Sequence, residues 1–251
     1  MVLSLLPAFV ASMGTVALAL GAIFARALTP TAGAVAAAFG IVIVVTVGYP
    51  FLILLILFVV ASVLATQYRI DEKSKKHLQE GAVGERGVSN VLAHIIVPTG
   101  LAVAMFASPS FFSAGAVLYA SALAFGASDT FASELGVLAG RARSILTLRP
   151  VPPGTNGGVS LAGHLWGFLG ALTTGVLSAL LFWAFGTVTV SPLVVVGVAT
   201  AAGFLACQVD SVLGETLENR GYLTKGTTNL AAMLASVALA AGFLELGGWV
   251  R

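Results

Sequence analysis

The chain has 251 residues, of which 58% are hydrophobic and only 9% are Asp, Glu, Lys or Arg, with 29 glycines and a net charge of +2. An ordinary soluble domain carries roughly 25% charged residues, so this composition excludes a water-exposed globular surface and points to a chain dissolved in lipid. A bilayer core leaves no water for backbone N–H and C=O groups, which makes helices the default spanning element.

Eight apolar stretches are long enough to cross a hydrocarbon core of about 30 Å. In chain order they fall near residues 3–25, 31–47, 50–67, 89–106, 111–126, 159–184, 192–208 and 229–248. The first has no basic residue ahead of it and no clear small-residue cleavage site behind it, so it reads as a span rather than a cleaved signal. The expected fold is therefore an all-α polytopic transmembrane bundle. It is a single membrane domain over 1–251, with residues 1–88 supplying N-terminal spans and a basic loop, and 89–251 forming the core that carries the motifs. Cys207 is the only cysteine, which excludes an intrachain disulfide and a cysteine-based metal site.

Connections after spans two, four and six are short and uncharged. The other four hold Arg26, then residues 69–86, 129–149 and 210–225, and carry eleven of the twelve Lys and Arg residues; Arg251 is the exception. Eight spans put all four on one side, and the positive-inside rule makes that side cytoplasmic and both termini extracytoplasmic. The lysines between Asp71 and Lys76 read as solvated topology determinants.

Four segments do not read as ordinary loops. The first runs from Glu80 through Gly81, Ala82, Val83, Gly84, Glu85, Arg86 and Gly87 to Asn90; Arg86 and Asn90 share a helix face if the span has begun, or else Asn90 caps a flexible loop. In the second, Asp129 and Glu134 interrupt an apolar run. An ionised carboxylate near membrane depth needs a partner or a watery cavity, although Ser128 and Asp129 also suit a helix cap. The third is residues 149–160, Arg-Pro-Val-Pro-Pro-Gly-Thr-Asn-Gly-Gly-Val-Ser. Its glycines can present N–H groups as an anion nest at a helix N-terminus, or form a plain turn. The fourth places Asp210 and Glu215 five apart, the spacing of Asp129 and Glu134. That is about 140° around a helix, so each pair cannot share a face unless the helix unwinds; the aspartates are favoured and the glutamates held as outer support.

Two carboxylates, a glycine turn and basic residues on one face suit Mg²⁺ and phosphates, since Mg²⁺ takes one or two protein carboxylates and leaves other positions to water and phosphate. Asp129 and Asp210, with Glu134 beside them, form the expected metal set. The Gly154, Thr155, Asn156, Gly157, Gly158 and Ser160 turn would cradle donor phosphates. Arg86, Arg149 and Lys225 would neutralise charge, Lys225 counting with the aspartates as catalytic, while Asn90, Asn156 and Asn229 would orient oxygens. Arg220 is a further basic candidate, and Arg141 and Arg143 suit lipid headgroups equally. His94 and His164 read as packing or hydrogen-bonding groups, and His77 as a loop residue.

The runs Asp129-Thr130-Phe131-Ala132-Ser133-Glu134-Leu135-Gly136, Pro153 to Ser160, Asp210-Ser211-Val212-Leu213-Gly214, and Arg86-Gly87 with Asn90 resemble the integral membrane family of plant phytyl-phosphate kinase and its uncharacterised prokaryotic and animal relatives. The likeness covers about residues 80–229. It departs at His94, Phe131 and Glu215, where that family usually shows Asn, Trp and a small residue. The family is distantly similar to polyprenol kinases and CDP-diacylglycerol synthases. The resemblance implies magnesium-dependent phosphoryl transfer from CTP to an isoprenyl monophosphate at the cytoplasmic face of the cell membrane, giving the diphosphate. The alternatives are a cytidylyltransferase making a CDP-linked lipid, a small-molecule transporter, or a non-enzymatic lipid-binding protein. Expected partners are the nucleotide, the prenyl phosphate and the bilayer; no nucleic acid is expected, and a homodimer is left open.

Overall fold

The computed structural model describes residues 5–76, 78 and 84–249. His77, Glu80 to Val83 of the first motif, and Arg251 lie outside the described residues. Among the described residues eight helices are long and apolar enough to cross a membrane: α1 (Leu5–Phe24), α2 (Pro30–Val47), α3 (Tyr49–Gln67), α5 (Val88–Ala107), α6 (Phe112–Glu134), α7 (Leu161–Ala184), α8 (Pro192–Leu213) and α9 (Lys225–Gly247). A short α4 (Ile70–Lys75) follows α3, and three short strands, β1 (Ala142–Ser144), β2 (Pro150–Val151) and β3 (Gly158–Val159), lie between α6 and α7. The chain is thus an almost entirely helical polytopic bundle, as its hydropathy implies.

Helix α6 is the axis. Every residue from Gly115 to Ser128 is buried, and α6 packs against α3, α5, α7, α8 and α9. A helix apolar on all sides belongs in the middle of a bundle, and small residues let its neighbours approach to backbone contact. A Cβ on Gly170 of α7 would lie 2.6 Å from the Ala127 carbonyl oxygen, and one on Gly203 of α8 would lie 2.7 Å from the Ala124 carbonyl carbon. At the far end Phe51 sets its ring against Phe112, Tyr119 and Phe182, and the Tyr119 hydroxyl donates to the Phe51 carbonyl at 3.0 Å. By contrast, α1 packs chiefly on α2 and leaves Leu6, Phe9 and Phe24 more than half exposed, which suits a lipid-facing helix.

The four charged connections touch one another at one end of the bundle. The Arg86 amide donates to the Ala27 carbonyl at 3.0 Å, tying the α3–α5 segment to the α1–α2 turn. Lys73 of α4 reaches the end of α6, and β1 reaches the end of α8.

Three sequence expectations need correction. Helix α6 continues to Glu134 and α8 to Leu213, beyond the expected limits at 126 and 208; Asp129 and Asp210 are therefore inside helices, and the cap reading of Asp129 falls. Helix α9 starts at Lys225 rather than near 229, on a capping box between Thr224 and Thr227. Finally, Lys73 is no solvated topology charge. It is fully buried, with Nζ 2.6 Å from Glu134 Oε2 and 3.1 Å from the Ala65 carbonyl.

Removing one partner of a buried ion pair leaves an uncompensated charge and costs about 3–5 kcal/mol. Lys73→Met is expected to lower the melting temperature of the detergent-purified protein. Adding Glu134→Gln to it should recover part of that loss, because the stranded charge is removed; a double variant whose loss is the sum of the single losses would contradict the pairing.

Candidate active site

A cleft of about 260 Å³ opens at the charged end. Asp129 enters it from the last two turns of α6 and Asp210 from the last turn of α8. Residues 153–160 form its rim, and Lys225 and Asn229 enter from the first turns of α9. Asp129, Glu218 and Lys225 are the charges whose fields act on Asp210, so two acids from distant parts of the chain share one polar space. The amide of Asn229 sits between His94 Nε2 and Asp210 Oδ1. With its nitrogen toward Asp210 it donates at 3.3 Å to Oδ1 and at 3.1 Å to the Lys225 carbonyl, and its oxygen faces His94 Nε2 across 3.3 Å.

The glycine-rich rim is held by carboxylates of α8's extension. After Leu213 the helix widens into a π-turn over Gly214–Glu218, a distortion frequent at functional sites. Glu215 leaves this turn to accept from Ser144 Oγ at 2.6 Å and from the Leu146 amide at 3.3 Å. Glu218 accepts from Asn156 Nδ2 at 2.9 Å. Gly154 and Gly157 adopt φ of +83° and +76°, the left-handed region open to glycine. A Cβ on Gly157 would lie 2.4 Å from that of Glu215. Of the N–H groups expected to form an anion nest, those of Thr155 and Gly158 bond within the turn, to the Pro152 and Thr155 carbonyls. What the loop does supply is close backbone approach beside two helix N-termini. Ser160 caps α7 through the Gly163 amide at 2.9 Å, and both the α7 and α9 starts line the cleft; such ends favour anions.

Asp129, Glu134, Asp210, Lys225, Asn229, Gly154, Thr155, Asn156, Gly157, Gly158 and Ser160 all line this cleft. The carboxylate of Glu134, however, closes on Lys73 and accepts from Thr66 Oγ1 at 3.2 Å, so it braces the wall. Arg86 and Asn90 are not among its lining residues; they line a second cavity. Arg149 is exposed and away from the cleft, pairing through its backbone with Ser144; Arg220 is likewise exposed and does not line it. Arg141 does line it, as do Glu218 and His164, whose Nδ1 lies 2.8 Å from the Ser160 carbonyl. Nothing local in the sequence marks Glu218; its role depends on the π-turn.

Among the described residues no group of three or more His, Cys, Asp or Glu side chains is placed to hold a metal ion. That does not suit a closed protein cage. Two hard oxygen donors beside an anion-favouring pair of helix starts do suit Mg²⁺, which completes its octahedron with water and phosphate oxygens.

Fold and cleft together define a polytopic helical membrane protein with a polar site at one end. The chain belongs to the integral membrane protein family DUF92, which it matches over residues 13–246. It is 32% identical over 197 residues to an uncharacterized membrane protein of Methanocaldococcus jannaschii, covering 78% of this chain and 76% of that one. An uncharacterized membrane protein of Synechocystis shares 31% over 221 residues, 86% of this chain and 83% of the relative. Protein PGR of Arabidopsis thaliana shares 40% over 103 residues, 38% of this chain and 34% of the plant protein. No solved structure matches.

Two substitutions test how the rim is held. Gly157→Ala forces both a strained φ and a clash, and Glu215→Ala strands the Ser144 hydroxyl and Leu146 amide, a loss of about 1–3 kcal/mol for buried groups and less at this half-exposed site. Both should speed hydrogen exchange across residues 144–158 while α6 and α8 keep wild-type protection. Unchanged exchange in that loop would contradict the clamp.

Proposed function

We propose that this protein is a nucleotide-dependent isoprenyl-monophosphate kinase, using CTP and Mg²⁺ to form a prenyl diphosphate at the cytoplasmic face of the cell membrane. The observation that carries the reading is the shared cleft: Asp129 and Asp210, from separate helices, meet the 154–158 turn and Lys225 in one space. The likeness of the motifs to the phytyl-phosphate kinase family supplies the reaction class. The gathering of basic connections at the same end supports the cytoplasmic orientation.

Phosphoryl transfer mainly requires positioning and neutralisation of charge. A prenyl phosphate oxygen attacks the γ-phosphorus of the nucleotide, the bond from that phosphorus to the β,γ-bridging oxygen breaks, and CDP leaves with that oxygen. The acceptor is already anionic, so no general base is needed. Bound magnesium would supply neutralisation of the phosphate charge. Asp129 and Asp210 would hold it, Asn229 keeping Asp210 oriented through its amide. Lys225 and the starts of α7 and α9 balance the phosphate charge, while Glu215 and Glu218 fix the loop that borders it.

Asp129→Asn and Asp210→Asn keep side-chain volume and remove one charge. Each should melt within a few degrees of wild type, lose magnesium-dependent nucleotide binding, and lower turnover of geranylgeranyl phosphate by about 10²–10³-fold, the scale for removing one electrostatic group at a reacting centre. Wild-type turnover in both variants would overturn the proposal.

A further inference from the structure

A second cavity of about 170 Å³ lies between α1, α2, α3 and α5. Its walls are apolar along most of their length, from Leu52 to Val59 on α3, with Ala36, Ala37 and Gly40 of α2 opposite. From Leu52 to Ser62 the lined stretch of α3 rises about 15 Å at 1.5 Å per residue. Leu18 and Val60 at its edge are about half exposed, so the cavity opens toward the lipid side of the bundle beside α1.

The end nearest the charged loops is polar. Arg86, Asn90, His94 and Ser62 line it. Arg86 is only 6% exposed, yet carries its charge there; Nη1 donates to Asn90 Oδ1 and Nη2 to Thr66 Oγ1, each at 3.2 Å. Among the described residues its Nε has no hydrogen-bond partner, and neither have His94 Nδ1 and Ser62 Oγ. Buried polar atoms are normally satisfied, and three such atoms lining one cavity give it the polar contacts a hydrogen-bonding guest would use. A buried guanidinium at one end of an apolar groove suits an anionic head on a hydrocarbon chain.

This polar end is also the partition between the two cavities. Arg86 bonds Thr66, which bonds Glu134 on the cleft wall, and His94 faces Asn229, which bonds Asp210. A head group on Arg86 would therefore lie one layer of side chains from the cleft proposed for the nucleotide, and direct attack on the donor requires Thr66 or Asn229 in that layer to move aside.

We propose that the groove is the acceptor site: an isoprenyl monophosphate binds with its phosphate on Arg86 and the first part of its chain between α2, α3 and α5. The identity of the lipid rests on the kinase reading; the charge and shape of the site do not. The volume is below that of pockets enclosing a whole ligand, so the remainder of the chain runs into the bilayer along α1. Arg86 thereby serves the acceptor rather than the donor triphosphate.

The test is equilibrium binding of tritiated geranylgeranyl monophosphate to the purified full-length protein in nanodiscs without nucleotide. Ala37→Phe, which fills the groove, should weaken binding at least tenfold while leaving magnesium-dependent CTP binding unchanged. Wild type should prefer the monophosphate over geranylgeraniol at least tenfold, and Arg86→Gln should abolish that preference. Should Arg86→Gln fail to fold, the Ala37→Phe arm alone decides. Wild-type affinity in Ala37→Phe, or displacement of the probe by dioleoyl phosphatidate as readily as by unlabelled probe, would overturn the proposal, the latter assigning the groove to a bilayer phospholipid. If the variants behave as expected but wild type transfers no phosphate, the binding site for an anionic prenyl lipid stands and the kinase reading fails. If wild type turns over and Ala37→Phe still binds normally, the reverse holds.

Discussion

Two aspartates inside helices of a membrane bundle impose the constraint that organises this protein. A carboxylate in hydrocarbon costs several kcal/mol, and two that feel each other cost more unless water or cations join them. The fold answers by stacking α7 and α8 directly on α6 through Gly170 and Gly203, which carries Asp129 and Asp210 to the same end. There the bundle opens into a polar cleft instead of closing on lipid. Packing thus decides electrostatics: a bulkier residue at Gly203 would separate α6 and α8, the helices that bear the acids.

Around this pair the charged end is braced by interactions that never enter the cleft chemistry. Lys73 and Glu134 anchor α4 to α6, Thr66 joins that pair to Arg86, and Glu215 and Glu218 hold the glycine loop through the π-turn of α8. Asp210 faces the cleft while Glu215 faces the loop, the divergence that a five-residue spacing on a helix imposes. Each bond joins segments distant in sequence, so the site is assembled only when the bundle is.

Much of the fold was legible because lipid is an unforgiving solvent. Eight apolar stretches and the segregation of basic residues gave the span count, the cost of an intramembrane carboxylate singled out Asp129, and the repeat of its five-residue spacing to a glutamate singled out Asp210. Helix ends were less legible: a helix satisfies its own backbone and continues into polar sequence when a cleft rather than hydrocarbon surrounds it, as α6 does to Glu134 and α8 to Leu213. Lys73 was misread because its partner lies 61 residues away, beyond any local pattern. Strands of two or three residues are too short to show a period, and Arg86 and Asn90, themselves part of the first motif, line another cavity.

The central claim is that this arrangement moves a terminal phosphoryl group onto a lipid phosphate. Tracing the label decides it: purified protein is given geranylgeranyl monophosphate with CTP labelled at either the α- or the γ-phosphorus. The account predicts that γ-label alone enters the lipid fraction, one equivalent per CDP released. Transfer of α-label with release of pyrophosphate, or no labelled lipid from either nucleotide, would contradict it.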